Sequence, residues 1–172
     1  ESCTVIIYAA GVTDEDVEDP PDAMEADYSF SFTTTEVCGD TYIPIYDIQG
    51  DGLATPLPGT SLSTQGVVVG DFQEGGKYGF FIQDLTGDGN AATSDGIFVY
   101  EPSGTDIIDV NVGDHVRVKG VVSEYYDLTQ ISTSQVQLCE SGVTLPAPTP
   151  FSLPVDNVLD FVCGSGSLLL NV

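Results

Sequence analysis

The chain has 172 residues, a length that suits one complete domain and part of another but not a large multidomain enzyme. Three basic residues stand against 27 acidic ones, and the formal net charge is −24. Because so negative a surface repels polyanions, the composition excludes an ordinary, strongly basic binder of nucleic acid or of anionic membranes. No apolar run approaches the roughly 18 to 20 residues that a helix needs to cross a bilayer, so we expect no membrane partner.

The first 40 residues contain two predicted strands, residues 3–10 and 28–34, on either side of an acidic stretch at residues 14–22. In the second strand Tyr28, Phe30 and Phe32 alternate with small polar residues, which is the period of a half-buried strand. Two strands alone cannot bury a sizeable core. We therefore expect this segment to be covered by further sequence or by another copy of the chain.

Residues 41–154 form a second predicted domain. An extended segment at residues 43–48 and a turn-rich connection at 50–59 lead into five strands, predicted at residues 66–72, 78–84, 96–101, 114–125 and 129–138. Five strands at short spacing predict an all-β barrel or sandwich, in which residues 103–113 form either a short helix or a loop. Residues 155–172 are a C-terminal tail or exchanged strand, with an apolar run at residues 168–172.

The four cysteines are Cys3, Cys38, Cys139 and Cys163. They form no C-x-x-C pair, and His115 is the only histidine, so a zinc site is disfavoured. An even number of cysteines in such a sequence favours two disulfides and an oxidising compartment over buried free thiols. Three pairings are open. We favour Cys3 with Cys38 and Cys139 with Cys163, because each pair brackets one region of the sequence.

A twelve-residue loop follows the second predicted barrel strand and has the spacing of a calcium site. Gly89 stands at its sixth position, where such a loop turns sharply. The predicted ligands of Ca²⁺ are Asp84, Thr86, Asp88, Asn90 and Asp95. Hard carboxylate and carbonyl oxygens suit Ca²⁺ better than a transition metal. The same residues are also typical of an ordinary hairpin turn.

Several segments resemble the OB-fold domain that precedes an endonuclease/exonuclease/phosphatase catalytic domain in secreted bacterial nucleases. The segments that carry the resemblance are YDIQG at 46–50, GVVV at 66–69, YGFFIQD at 78–84, TSDGIFVY at 93–100, VGDHVRVKG at 112–120 and TQI at 129–131. Upstream, VTD at 12–14, DPPD at 19–22 and YSFSFTT at 28–34 look like the last two strands of a bacterial Ig-like domain.

The resemblance implies an all-β protein in which a five-stranded OB-type barrel follows an incomplete, two-stranded Ig-like segment. It also implies that the chain is not an enzyme, because the catalytic domain would need a further large region with carboxylates and paired histidines around a divalent metal. The implied function is a noncatalytic extracellular accessory module that positions nucleic acid or the catalytic domain. The alternative is a structural subunit of an extracellular assembly, held by strand complementation between copies.

OB barrels bind ligands across their second and third strands and the adjoining loops. On this basis the candidate nucleic-acid contacts are Lys77, Tyr78, Phe81, Gln83, Arg117, Lys119, Tyr125 and Tyr126. Aromatic rings beside cations suit single-stranded nucleic acid, but three basic residues make a poor cationic track, so we expect weak binding if any. In the opposing interpretation, the aromatic residues belong to the core and the basic residues form salt bridges. We expect a secreted or cell-surface protein whose partners are further domains of a longer chain or copies of itself.

Overall fold

The computed structural model describes residues 2–13, 18, 24–34, 36–74, 76–104 and 107–147. They form two compact units that divide between Val37 and Cys38. We predicted a domain boundary at residues 40 and 41. In the described ranges, no helix has the length and apolar character needed to cross a membrane.

The N-terminal unit is a two-stranded antiparallel sheet of β1 (Ser2–Ile7) and β2 (Tyr28–Thr33), with a 3-10 turn at Ala9–Gly11. The register places Cys3 opposite Phe32, Val5 opposite Phe30 and Ile7 opposite Tyr28. Since side chains alternate between the two faces of a strand, these six residues share one face. The predicted alternation in β2 therefore gives one apolar and one hydroxyl-rich face.

The second unit is a closed barrel. Its strands are β3 (Ser61–Phe72), β4 (Gly79–Gln83), β5 (Gly96–Tyr100), β6 (His115–Tyr125) and β7 (Leu128–Glu140). Around the ring the order is β3, β4, β5, β7, β6, and β6 pairs back onto β3. Neighbours are antiparallel, except that β5 and β7 run parallel. This confirms the predicted all-β fold with a five-stranded OB-type barrel.

The prediction of an extended segment at residues 43–48 is wrong, because a short helix, α1 (Ile45–Gln49), lies there. Pro44 precedes the helix with extended dihedrals, and Gly50 ends it in the left-handed region at φ 68°. Ile45 and Ile48, three residues apart, lie on one side of the helix and are fully buried in the barrel core. The segment forms a helix because a helix buries both side chains in the barrel core. The local sequence does not reveal this burial. In residues 103–113, the described positions carry no helix.

Residues 38–43, which we call the strap, are held against the side of the barrel formed by β3, β6 and β7. Arg117 of β6 donates from its two terminal nitrogens to the carbonyl oxygens of Asp40 and Thr41, each at 2.9 Å. The Ile43 N–H donates to the Ser63 carbonyl of β3 at 2.9 Å. Both ends of the strap are therefore fixed to the barrel, since Cys38 at its start is bonded to Cys139 of β7.

The favoured pairing of Cys3 with Cys38 and of Cys139 with Cys163 is wrong. Cys38 and Cys139 form the disulfide, with Cα atoms 5.6 Å apart and a sequence separation of 101. The long β7 strand brings Cys139 back to the start of β6, beside Arg117 and the strap. Cys3 is a free thiol, and Cys163 lies outside the described residues. A structural disulfide indicates an oxidising, non-cytoplasmic setting.

We expect the double variant Cys38→Ser/Cys139→Ser to lose about 2–4 kcal/mol of unfolding free energy, because the bond constrains a long loop of the unfolded chain. Urea denaturation measures the loss, and the Cys3→Ser variant is the control that keeps this bond. Nonreducing peptide mapping should join the peptides of Cys38 and Cys139. Recovery of either cysteine with another partner would contradict this pairing.

Candidate ligand-binding face

Three phenylalanines form an aromatic strip across the outer surface of β3, β4 and β5. Phe81 lies between the other two, with ring centroids 6.0 Å from Phe72 and 4.8 Å from Phe98. Phe81 points outward because its neighbours Phe80 and Ile82 are fully buried in the core. Phe81 and Phe98 lie on the second and third strands of the barrel, where OB folds bind their ligands, and Phe72 lies at the end of the first strand.

Gly79 allows this strip to pack closely. A Cβ atom at Gly79 would collide with the carbonyl oxygen of Val99 and with the ring of Phe98. The Phe98 ring therefore lies directly over the backbone of β4, which fixes the ring and reduces its exposure to 8%. Sequence reasoning found Phe81 but missed Phe72 and Phe98. The alternation of Phe98 with core residues Ile97 and Val99 was the signal that could have placed it outside.

Exposed tyrosines lie at both ends of β5. Tyr78 lies beside the Tyr100 end of β5, since its carbonyl accepts from the Glu101 N–H at 2.8 Å. Tyr125 and Tyr126 belong to the β6–β7 hairpin, which the parallel pairing of Phe98 with Gln130 places at the other end of β5. The length of β5 separates the two ends by about 17 Å.

The hairpin tip and the start of β4 hold bulky residues in an uncommon backbone conformation. Tyr126 and Asp127 have φ of 48° and 61°, as a two-residue hairpin turn of the primed type requires, and Tyr78 has φ of 55°. Asn and Gly suit such positions better than tyrosine does. Tyr126 is 88% exposed, and its ring contacts that of Tyr125 with centroids 4.7 Å apart.

The structure does not bring all eight predicted contacts together. Arg117 was expected to lie on the surface, but it is only 4% exposed because its guanidinium binds the strap. Lys119 lies on the same strand, β6, which pairs with β3 and β7 and with neither β4 nor β5. Gln83 shares the outward side of Phe81 yet is buried. Of the three basic residues, Lys77 alone lies next to a strand of the aromatic strip, because it precedes β4 by two residues.

A glutamine in the loop before β4 ties together the border of the strip. The Gln73 side chain donates to Glu101 Oε1 at 2.6 Å and to the Ile108 carbonyl at 3.0 Å, and it accepts from the Val110 N–H at 2.8 Å. Burial raises the pKa of Glu101, and the hydrogen bond from Gln73 lowers it in part. Repulsion from Asp71 and Asp109 raises the pKa of Glu101 further. The border of the strip is thus acidic.

The loop between β4 and β5 holds the predicted calcium ligands in a network of local hydrogen bonds. Asp84 Oδ1 accepts from the N–H groups of Thr86 and Gly87, both at 3.0 Å. Asp88 accepts from the Asn90 N–H at 2.8 Å and from the Thr93 hydroxyl. These are the bonds of a tight Asx-rich turn.

Asp95 closes this loop. Burial is the main reason that the pKa of its carboxyl group is raised, and repulsion from Asp88 and Asp84 raises this pKa further. A hydrogen bond from the Asp88 backbone acts in the opposite direction and lowers the pKa. A Cβ at Gly87 would lie within 2.7 Å of the Asp95 carboxyl carbon, so only glycine lets the loop approach so closely. Within the described residues no three His, Cys, Asp or Glu side chains are grouped as a metal site requires. Calcium at this loop stays a prediction.

We expect the unfolding temperature to rise with millimolar Ca²⁺ and Asp88→Ala to abolish the rise. Weak extracellular sites have dissociation constants of about 10⁻⁴ to 10⁻³ M, and Ca²⁺ at ten times that constant stabilises by about 1.4 kcal/mol. Differential scanning fluorimetry measures the shift, with exposed Asp51→Ala as the matched control. An Asp88→Ala variant that responds like the parent would exclude this loop.

We expect Glu101→Gln to weaken the loss of stability as pH rises above 4.5, the ordinary pKa of a glutamate carboxyl group. The folded-state pKa of Glu101 is raised, so the native state binds more protons than the unfolded state above the ordinary value of 4.5. Stability is therefore lost as pH rises towards the folded-state pKa. Glutamine keeps the acceptor for Gln73 and does not ionise. Thermal unfolding across this pH range measures the effect, and identical profiles for parent and variant would refute it.

No family model matches the chain, and no curated protein matches it. Among solved structures, the chain is similar to the hypothetical protein YgiW from E. coli, at 17% identity and a TM-score of 0.36 over 48% of this chain and 77% of that one. It is also similar to OBody AM1L10, solved bound to hen egg-white lysozyme, at 20% identity and a TM-score of 0.42 over 62% of this chain and 100% of that one. The assignment to an OB-type barrel rests on the strand order described above.

Proposed function

We propose that this chain is a noncatalytic extracellular module of a secreted nuclease-like protein, and that its barrel positions single-stranded nucleic acid or a catalytic domain. The observation that carries the proposal is the aromatic strip of Phe72, Phe81 and Phe98 on the first three barrel strands. Tyr78 and Tyr126 are exposed and belong to loops at opposite ends of β5. The chain's single histidine is part of the reason for proposing no catalysis.

Stacking, and not charge, is the source of affinity in this proposal. A base stacked on an aromatic side chain contributes about 1–3 kcal/mol, and this contribution tolerates any sequence. Phosphate contacts contribute little, because Lys77 is the one basic residue beside the strip and 27 acidic residues oppose a polyanion. Binding should therefore be weak, and it should depend only slightly on salt.

Titration of a fluorescent thymidine oligonucleotide at low salt, with and without Ca²⁺, tests the proposal. A single phosphate contact predicts a slope of about −0.7 for the logarithm of the binding constant against the logarithm of salt concentration. Phe81→Leu keeps apolar volume but removes the central ring, and Tyr126→Asn keeps a residue that tolerates positive φ. Both variants should weaken binding several-fold while leaving the unfolding temperature nearly unchanged.

Two lysines give a matched charge control. Lys77→Gln and Lys119→Gln each remove one positive charge, but Lys77 lies two residues before β4, the strand of Phe81, whereas Lys119 lies on β6. We expect the first variant to weaken binding and the second to change it little. Equal effects would show that net charge alone governs the interaction. No detectable binding at low salt would leave the module with a structural function.

The rival function is a structural subunit whose copies complete each other's sheets. The observation that favours it is the apolar face of the β1–β2 sheet, where Tyr28, Phe30 and Phe32 are 44–57% exposed. Exposed apolar strands invite pairing between chains. Sedimentation equilibrium of the native protein distinguishes the two functions, because an assembly requires a concentration-dependent mass whereas a positioning module does not.

A further inference from the structure

The chain enters and leaves the barrel at one point. Cys38 is the first residue of the second unit, and it is bonded to Cys139, one residue before β7 ends. The Cα atoms of the two cysteines are 5.6 Å apart, although their sequence separation is 101. Beyond Cys139, the Val143 N–H still donates to the Gly113 carbonyl at 2.8 Å. The disulfide therefore closes a covalent loop whose two ends meet at the end of β7.

Almost the whole barrel lies inside this loop. The rest of the strap, α1 and the strands β3 to β6 fall between the two cysteines, and so does β7 except for its last two residues. Phe72, Phe81 and Phe98 of the aromatic strip lie there as well. Once the outer contacts break, a pull between residues before Cys38 and residues after Cys139 is carried by the covalent bond. The strand pairings inside the loop carry none of that pull.

Without the disulfide, the same geometry would load the barrel in its weakest direction. The pull would act on the strap at one side and on the end of β7 at the other, and Arg117 of β6 contacts both. It donates to the strap carbonyls of Asp40 and Thr41, and it pairs in register with Gln137 of β7. Paired strands pulled apart from one end lose their hydrogen bonds one after another, and each bond alone is weak in water. The reduced barrel should therefore unzip.

We infer that the disulfide between Cys38 and Cys139 shields the barrel from tension along the chain. In the oxidised protein, a pull extends the N-terminal unit and the residues after Cys139, while the barrel and its aromatic strip stay folded. In the reduced protein, the same pull opens the barrel. The redox state of one bond thus decides whether this module extends. The inference does not depend on what the barrel binds, so a failure to bind nucleic acid would not affect it.

A reductant can reach the bond, because Cys38 and Cys139 are both partly exposed. One thiolate of a dithiol attacks one sulfur of the disulfide, and the other cysteine leaves as a thiolate. The second thiol of the reductant then displaces the remaining cysteine from the mixed disulfide. The dithiol is oxidised to a cyclic disulfide, and the two cysteines take up the protons that its thiols lose.

The length of the extension identifies the barrel. A loop with a sequence separation of 101 adds about 330–360 Å when it is pulled straight, at about 3.3–3.6 Å per residue. The N-terminal unit, Glu1–Val37, adds no more than about 120–135 Å, and residues 140–172 add still less. An extension of the larger size therefore comes from the barrel.

Force-clamp spectroscopy of the full chain, held at its two ends, tests the inference. We expect the oxidised parent to show no extension of about 330–360 Å up to the force at which the attachments break. Dithiothreitol added under constant force should release that length. Cys38→Ser/Cys139→Ser should extend by it without reductant, whereas Cys3→Ser keeps the disulfide and should behave like the parent. A barrel-length extension of the oxidised parent, or none after its reduction, would overturn the inference.

A variant of Arg117 tests the path that the load takes. Arg117→Gln removes the guanidinium that holds Asp40 and Thr41. In the reduced protein it should shorten the lifetime before extension several-fold, because the strap is then under load. In the oxidised protein the same variant should stay unextended like the parent, since the disulfide bypasses the strap. Barrel-length extension of the oxidised variant would contradict the shielding, and an unchanged lifetime of the reduced variant would contradict the path through the strap.

Discussion

The closure of the barrel depends on β3, whose two halves pair with two different strands. The first part of β3 pairs with β6 through residues 61–67, and its second part pairs with β4 through residues 67–72. A register shift between Val68 and Gly70 bends the strand. At this bend, backbone hydrogen bonds join Val68 to Gly113 and Asp114. Because β3 closes the ring, the five strands leave no open edge, and outward side chains stand on a rigid frame.

The second constraint is charge. A chain with formal net charge −24 cannot gain affinity for a polyanion from its surface potential, so any binding must come from local contacts. The aromatic strip that we propose for such contacts is held by the barrel, since Phe81 and Phe98 lie on strands whose alternate residues fill the core. Arg117, the residue best suited to bind phosphate, instead holds the strap that connects the N-terminal unit.

The acidic surface also raises the cost of crowding carboxylates. Asp95 at one end of β5 and Glu101 at the other both have raised pKa values, first because of burial and then because of neighbouring aspartates. A proton or a cation near either group relieves that repulsion.

Local patterns in the sequence determined where the strands lie, because alternation with a period of two is set by each strand alone. They placed β2, β4, β5, β6 and β7 to within two residues and β1 to within three, and they predicted the apolar face of Tyr28, Phe30 and Phe32. The tertiary structure decided what depends on pairing between distant segments. Cys38 meets Cys139 across 101 residues only because β7 returns beside β6, and the same return buries Arg117 under the strap. Likewise Phe72, Phe81 and Phe98 form one strip only through the registers of three strands, and α1 is a helix because Ile45 and Ile48 fill the end of a barrel that the local sequence does not contain.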